Sequence, residues 1–468
     1  RNMKKVNYWF ACLIATAALV TTFTACSSDD EPNFNPPTIS MGSTTSGEIN
    51  LSDELKFELP VNINSEAGLT SIVVKDAEGK EWLNQTTFTN PNSVASVTLD
   101  LSSCKETKLL LLTVTATAKD GKVTSNAQPY SLNVFVPQLY IALSNVSTIT
   151  DAATMDIKIG RGVKALAKVD VYLNNTLVKS ISLSSKATEK KILESVNFTG
   201  LNDGKNPVKV EVFEEGAAVA SVIENCDAVK IEDMHNTHFI INGQFNVFDV
   251  RRADDGSAKF ITFTTNGIFD ETGMPIEFPQ RQYWNFTYDE SHKMVTKMEV
   301  TVDMLDGTPE TTLHVYEFTY NSFNELTKVT LDGNDYVTDV VYENGVMASY
   351  KINGNSYQPK YAEVNGMRVR VDCLDADMTG ATFGFTGNEQ PNPYYISGFP
   401  AVIPGDVLGI PAQLCYSQYL FNSLGTTWTS GWITKNSDET YGIPSLTATV
   451  TRKDGKEHTY KFIYDTGE

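Results

Sequence analysis

The sequence predicts an all-β protein in three folded parts: two tandem sandwich domains, then a C-terminal domain of β-hairpins. Three observations lead there. After residue 26 apolar and polar residues alternate with period two, in short runs cut by Gly, Asn and Asp, and no window sustains a helical period. Two stretches about 97 residues apart look like copies of one another. Aromatic density then jumps, from 9 residues in 37–232 to 34 in 233–468. The 468-residue length suits three or four domains.

The first element is an address. Met3 is read as the start, followed by Lys4 and Lys5 and by an apolar run from Tyr8 to Val20. That run has 13 residues, short of the roughly 20 a membrane-spanning helix needs, so it reads as a secretory signal over residues 1–25. Phe23-Thr24-Ala25-Cys26 resembles a bacterial lipobox, although Phe23 stands where Leu is usual. The resemblance implies lipid on Cys26 and cleavage before it. Ser27-Ser28-Asp29-Asp30-Glu31 is similar to the acidic tract that directs Bacteroidetes lipoproteins to the outer face of the outer membrane. Pro32, Pro36 and Pro37 continue an extended tether over 26–36. The expected location is therefore the extracellular face of the outer membrane, with the membrane contacted through the Cys26 lipid.

The sandwiches follow, at 37–136 and 137–232. Ser71 to Trp82 reads as a hairpin turning at Asp76–Gly79, and Lys168 to Lys179 as one turning at Asn174-Asn175. Later hairpins turn at Asp120-Gly121 and Glu215-Gly216. The two pairs are offset by about 98 and 95 residues. Such a repeat of short strands fits immunoglobulin-like sandwiches, without the Cys…Trp…Cys core of antibody domains. Leu55 to Ile63 and Met155-Asp-Ile157-Lys-Ile159 are alternating strands within them.

Residues 233–468 form the third part. Phe286-Thr-Tyr288 to Thr296-Lys297 matches Phe318-Thr-Tyr320 to Thr327-Lys328, with the tyrosines 32 apart, and Val341-Tyr342 to Tyr350 is a shorter cousin. Each reads as an aromatic strand, a polar turn and a returning strand; Asn344-Gly345 suits a tight primed turn. The pattern resembles the YD-type hairpin repeats of large bacterial surface proteins, and the C-terminal domain of Bacteroidetes surface lipoproteins built from them. That resemblance brings no catalytic residues.

The chemistry offered is sparse. With 57 acidic against 37 basic residues and a net charge of −20, the chain is a poor nucleic-acid or polybasic membrane-surface binder. Cys104, Cys226, Cys373 and Cys415 are scattered, with no metal-ligand spacing, and read as buried small side chains. His235 and His238, three apart at the head of a strand, would face opposite sides. Asp375-Ala-Asp377-Met-Thr379-Gly380 opens like a calcium loop, but Thr386 stands where a bidentate Glu belongs. No nucleophile, zinc or phosphate motif occurs. No cofactor, no metal and no enzymatic activity are expected.

The expected function is a non-catalytic surface lipoprotein that binds an extracellular glycan through its C-terminal domain. In plan it is similar to surface glycan-binding lipoproteins of Bacteroidetes polysaccharide-utilisation systems. The alternatives are an adhesin contacting protein partners and an extracytoplasmic glycoside hydrolase, which would need two carboxylates facing across a cleft. Trp428 and Trp432 would share one face of a strand and form a sugar platform, with Tyr394, Tyr395 and Tyr419 as further candidates. The anchor carries the first test: labelling cells with a lipid precursor marks the protein, and Cys26→Ala abolishes the mark. A mutant that stays labelled contradicts the lipobox assignment.

Overall fold

The computed structural model describes residues 33–231, 233, 237–241, 244–265, 280–291, 293–364, 367–371, 383–384, 391–392, 394–403, 415–419, 423–424, 428–431, 445–451 and 457–463. Among them the fold is all-β, with no α-helix and a single 3₁₀ turn at Ser184–Lys186. The signal segment, Cys26, His235, Cys373, the Asp375–Gly380 loop and Trp432 lie outside the described residues.

The two sandwiches repeat one strand order. In the first, Thr38–Met41, Val61–Asn64 and Ser93–Val94 form one sheet, in that order. The other runs Ser46–Asn50, Tyr130–Phe135, Lys108–Ala118, Leu69–Lys75, Glu81–Gln85. In the second, the same positions are taken by Tyr140–Leu143, Ala152–Gly160 and Lys191–Thr199. Facing them are Val146–Thr148, Val222–Lys230, Gly204–Glu214, Leu166–Leu173 and Thr176–Ser182. The turn chemistry explains the matching hairpins. Asn174 and Asn175 both adopt positive φ, 50° and 64°, the backbone a two-residue primed turn requires. In the first copy Asp76 accepts hydrogen bonds from the Glu78 and Lys80 amides and from the Trp82 indole, closing the turn over the core.

Alternation fills each core. Lys108–Ala118 buries Leu110, Leu112, Val114, Ala116 and Ala118 on one face, while Leu109 and Leu111 face outward. In the second sandwich Met155, Ile157 and Ile159 interdigitate with Val169, Val171, Val208, Val210 and Val212. Cys104, Cys226 and Cys415 are buried.

The C-terminal part is a 13-stranded sheet. Ten strands run from Thr237–Ile241 to Asn355–Tyr357 as a continuous antiparallel meander. Glu457–Ile463, Ser445–Thr451 and Trp428–Gly431 extend it beyond Thr237–Ile241. The three matched hairpins are six consecutive strands of it: Gln280–Tyr288 with Val295–Asp303, Thr311–Tyr320 with Leu326–Leu331, and Asn334–Glu343 with Val346–Ile352. Their aromatic faces build the core, with Trp284, Tyr316, Phe318, Tyr336 and Tyr350 buried beside Met298, Val300 and Val329. Residues 394–403 and 415 cover that face through Tyr394, Ile396, Phe399, Val402, Ile403 and Cys415.

The chain divides into two compact units. One comprises Arg1–Gly47, Glu58–Asp100 and Leu110–Leu132; the other comprises Glu48–Phe57, Leu101–Leu109 and Asn133–Glu468. The second sandwich and the hairpin sheet thus belong to the same unit. Tyr140, at the edge of that sandwich, shows how closely they meet. Within the sandwich its ring lies over Gly160, where a Cβ would come within 1.9 Å of it. A Cβ on Gly345 would lie 2.4 Å from the Ala142 Cβ and 2.9 Å from the same ring. Gly345 is therefore required twice, for its φ of +74° in the turn and for this approach.

Gly354 supplies a control, since it has φ +81° and nothing within 4 Å of its Cβ position. Gly345→Ala should cost about 1–3 kcal/mol more than Gly354→Ala, the cost of overpacking alone, measured by urea unfolding. Equal costs contradict the contact.

Candidate ligand-binding cleft

Strand Ala152–Gly160 has two faces with different jobs. Met155, Ile157 and Ile159 enter the sandwich core, while Asp156 and Lys158 point the other way, toward the turns of the hairpin sheet. Asp156 is buried and gathers three donors from three elements. Ser195 Oγ donates to Oδ1 at 2.6 Å, Lys293 Nζ to Oδ1 at 2.9 Å, and Asn324 Nδ2 to Oδ2 at 2.6 Å. Lys293 belongs to the first hairpin turn and Asn324 to the second. Lys191 pairs with Glu325 of the second turn.

The turns are shaped by matching residues. Asp289 Oδ1 accepts from the Lys293 and Met294 amides, and Asn321 Oδ1 from the Phe323 and Glu325 amides. Such side-chain-capped turns hold Lys293 and Asn324 in place before any contact with the sandwich.

Between the sandwich strand and the turns lies a cleft of about 760 Å³. Its wall contains the repeat tyrosines Tyr288, Tyr320 and Tyr342. Each sits directly at a register shift next to its turn: Thr287/Tyr288, Thr319/Tyr320 and Val341/Tyr342. Successive tyrosines are two strands apart, which places their backbones on the order of 10 Å from one another. Tyr320 donates to the Val295 carbonyl at 2.9 Å, and Tyr342 accepts from the Leu326 amide at 3.0 Å, so both rings are fixed. The Tyr288 hydroxyl is buried beside the Ala258 backbone with no well-formed hydrogen bond. The rest of the lining mixes short polar side chains, including Thr154, Asn197, Ser257 and Ser397, with apolar ones such as Phe198 and Met347.

Arg252 closes one side. It donates from Nη1 to the Gly256 carbonyl at 3.1 Å and from Nη2 to the Tyr395 carbonyl at 2.9 Å. Gly398 lets this side approach the first hairpin turn: a Cβ there would lie 1.8 Å from the Lys293 carbonyl oxygen.

Burial sets the electrostatics. It pushes the Tyr288, Tyr320 and Tyr342 hydroxyls well up, and the Lys158 ammonium down. Burial would also raise the Asp156 carboxyl. The hydrogen bonds from Ser195, Lys293 and Asn324 outweigh that and hold it below its ordinary value of 3.8.

The residues expected to bind ligand are placed elsewhere or differently. Tyr394 is fully buried in the hairpin-sheet core, so its ring is not open to a sugar. Tyr419 is fully buried in the second sandwich's cluster and donates to Asp227 at 2.5 Å. Both are therefore corrected from platform to core. Tyr395 is buried at the margin of the cleft, its hydroxyl bonded by the Asn145 side chain. Trp428 begins the strand Trp428–Gly431, the last in the sheet order, and Trp432 lies outside the described residues. The tyrosine row was visible as a sequence repeat. Its placement beside each turn was the available signal.

No family model and no curated protein matches this chain. Solved structures do. The fibronectin(III)-like modules of Clostridium thermocellum CbhA match at 12% identity over 42% of this chain and 95% of theirs, with a TM-score of 0.16. The central fibronectin-III array of RIM-binding protein matches at 13% over 66% and 100%, also at 0.16. Bacteroides ovatus SGBP-B, from a mixed-linkage glucan utilization locus and solved with a mixed-linkage heptasaccharide, matches at 12% over 64% and 75%, again at 0.16. Likenesses of this size carry no argument about function.

The Asp156 hub has a measurable signature. Asp156→Asn should destabilise the unit by roughly 3 kcal/mol at pH 7, because Lys293 loses its buried partner. A carboxyl held below 3.8 contributes fully above that pH and loses its contribution as pH falls through the folded value. The gap between parent and variant in chemical unfolding should therefore shrink below about pH 3.8. A gap constant down to pH 2.5 contradicts the ionised hub.

Proposed function

We propose that the protein is a non-catalytic, lipid-anchored cell-surface protein that binds an extracellular glycan, and that the cleft beside the hairpin turns is where it binds. The row of Tyr288, Tyr320 and Tyr342 along a cleft that mixes apolar with short polar side chains supports this reading. A sugar presents an apolar C–H face and a rim of hydroxyls. Fixed aromatic rings suit the face, and Thr, Ser and Asn side chains suit the rim. The volume falls in the range of small-ligand sites. The backbone spacing of the row is comparable to the span of a disaccharide, so a glycan chain would lie along the row, across the hairpins.

The carboxylate chemistry favours binding over hydrolysis. A glycosidase needs one carboxyl kept protonated near neutral pH and a second facing it across the bond. Asp156 is driven the opposite way, and both its oxygens already accept hydrogen bonds, from Ser195 and Lys293 on one and Asn324 on the other. The reading as a surface protein rests on the N-terminal resemblance and the acidic tether.

Two variants test the site. The Tyr288 hydroxyl is closed off within the protein without a well-formed partner, so Tyr288→Phe should leave the unfolding temperature unchanged or raised. Asn197, an exposed polar residue of the rim, tests the binding: Asn197→Ala should bind the glycan that a carbohydrate array identifies about three- to tenfold more weakly by calorimetry. Unchanged affinity puts the binding site elsewhere, and an array on which no glycan binds overturns the glycan reading itself.

A further inference from the structure

Lys158 differs from its charged neighbours. Lys293 spends its charge on Asp156, and Lys191 on Glu325. Lys158 lines the cleft between those two pairs and makes no salt bridge. Its ammonium donates one hydrogen bond, to the Asn324 carbonyl at 3.2 Å, and stands 5.9 Å from the centre of the Tyr342 ring. An ammonium has three donors, so two remain unspent. Among the described residues, the charged side chains lining the cleft are Asp156, Lys158, Arg252, Asp255 and Lys293, three cations against two carboxylates. The whole chain has the reverse excess, 57 acidic residues to 37 basic. Glu325 and Asp156 are the carboxylates nearest in effect, and each already holds a lysine of its own, so an anion seated directly on Lys158 would offset the cost of its burial.

We infer that the cleft selects an anionic glycan, with a carboxylate or sulfate seated on the Lys158 ammonium beside Tyr342 and Asn324. This rests on the glycan reading of the cleft and specifies its substrate class. The neutral part of the sugar lies along the tyrosine row, and its acidic group reaches the sandwich strand. Asp156 does not repel that group, because its charge is matched by Lys293 at 2.9 Å. A net charge of −20 gives polyanions no general attraction to the protein, so the cation in the cleft carries selectivity as well as affinity.

The test uses the full chain purified in detergent, with three probes: oligogalacturonate, its methyl-esterified uncharged counterpart, and chondroitin sulfate oligosaccharides. The expected result is binding of at least one acidic probe at least tenfold tighter than the ester, weakening as salt rises. Lys158→Met should lose about ten- to a hundredfold in that affinity, the effect of removing one charge-assisted hydrogen bond, and Lys158→Arg should retain most of it. Unfolding temperature is followed for each variant, and Lys158→Gln provides a polar replacement should Met disturb the fold. The oligogalacturonate and chondroitin sulfate arms decide between carboxylate and sulfate. If the ester binds as tightly as the acid, or if both neutral variants bind acidic probes like the parent, the inference is overturned while the glycan reading stands. If no carbohydrate of either class binds, both fall.

Discussion

One buried carboxylate organises this molecule's second unit. Asp156 sits on a sandwich strand and is bonded by Ser195 of the neighbouring strand and by Lys293 and Asn324 from two different hairpin turns. A hairpin sheet has no intrinsic reason to stand beside a sandwich in one orientation. Three donors converging on one buried acceptor supply that reason, since each is expensive to leave unpaired away from water. Around this point the fit becomes close, with Gly345 against Ala142 and Tyr140, and Gly398 against Lys293. The cleft is the space that these contacts leave open.

The same arrangement makes a repeat useful. A degenerate hairpin unit places one tyrosine beside each turn, and a meander sets successive units side by side. Identical positions in the repeat thereby become neighbours along one edge of the sheet. A row of rings results without any single residue having to be placed by a special loop. The second sandwich then provides the opposite wall, so the cleft is shared between two architectures in one unit. Segment 415–419 reinforces the pairing: Gln418 donates to the Val146 and Asp227 carbonyls, at 2.7 and 2.9 Å, and Tyr419 to the Asp227 carboxylate.

Much of the fold was legible because it is written locally. Asn174-Asn175 and Asp76–Gly79 announce their turns, and the alternation of Met155-Asp-Ile157-Lys-Ile159 announces its strand. The hairpins around Tyr288, Tyr320 and Tyr342 could be aligned by eye. What alternation cannot say is what the polar face meets. Asp156 and Lys158 read as solvent-facing positions, and instead they meet another part of the chain. Tyr394 and Tyr419 are candidates for a ligand surface in the sequence, and both are buried. Their burial depends on partners far away in sequence, such as Asp227, 192 positions from Tyr419. The site is legible as a repeat and illegible as a cleft, because only tertiary docking turns one into the other.

Hydrogen exchange followed by mass spectrometry tests the central claim most directly: that the glycan lies between the sandwich strand and the hairpin turns. With the tightest array glycan bound, peptides covering 152–160, 286–296 and 318–326 should gain protection together, while 428–431 and the first sandwich stay unchanged. Protection confined to the peptide around 428–431, with the cleft peptides exchanging as in the free protein, would contradict it.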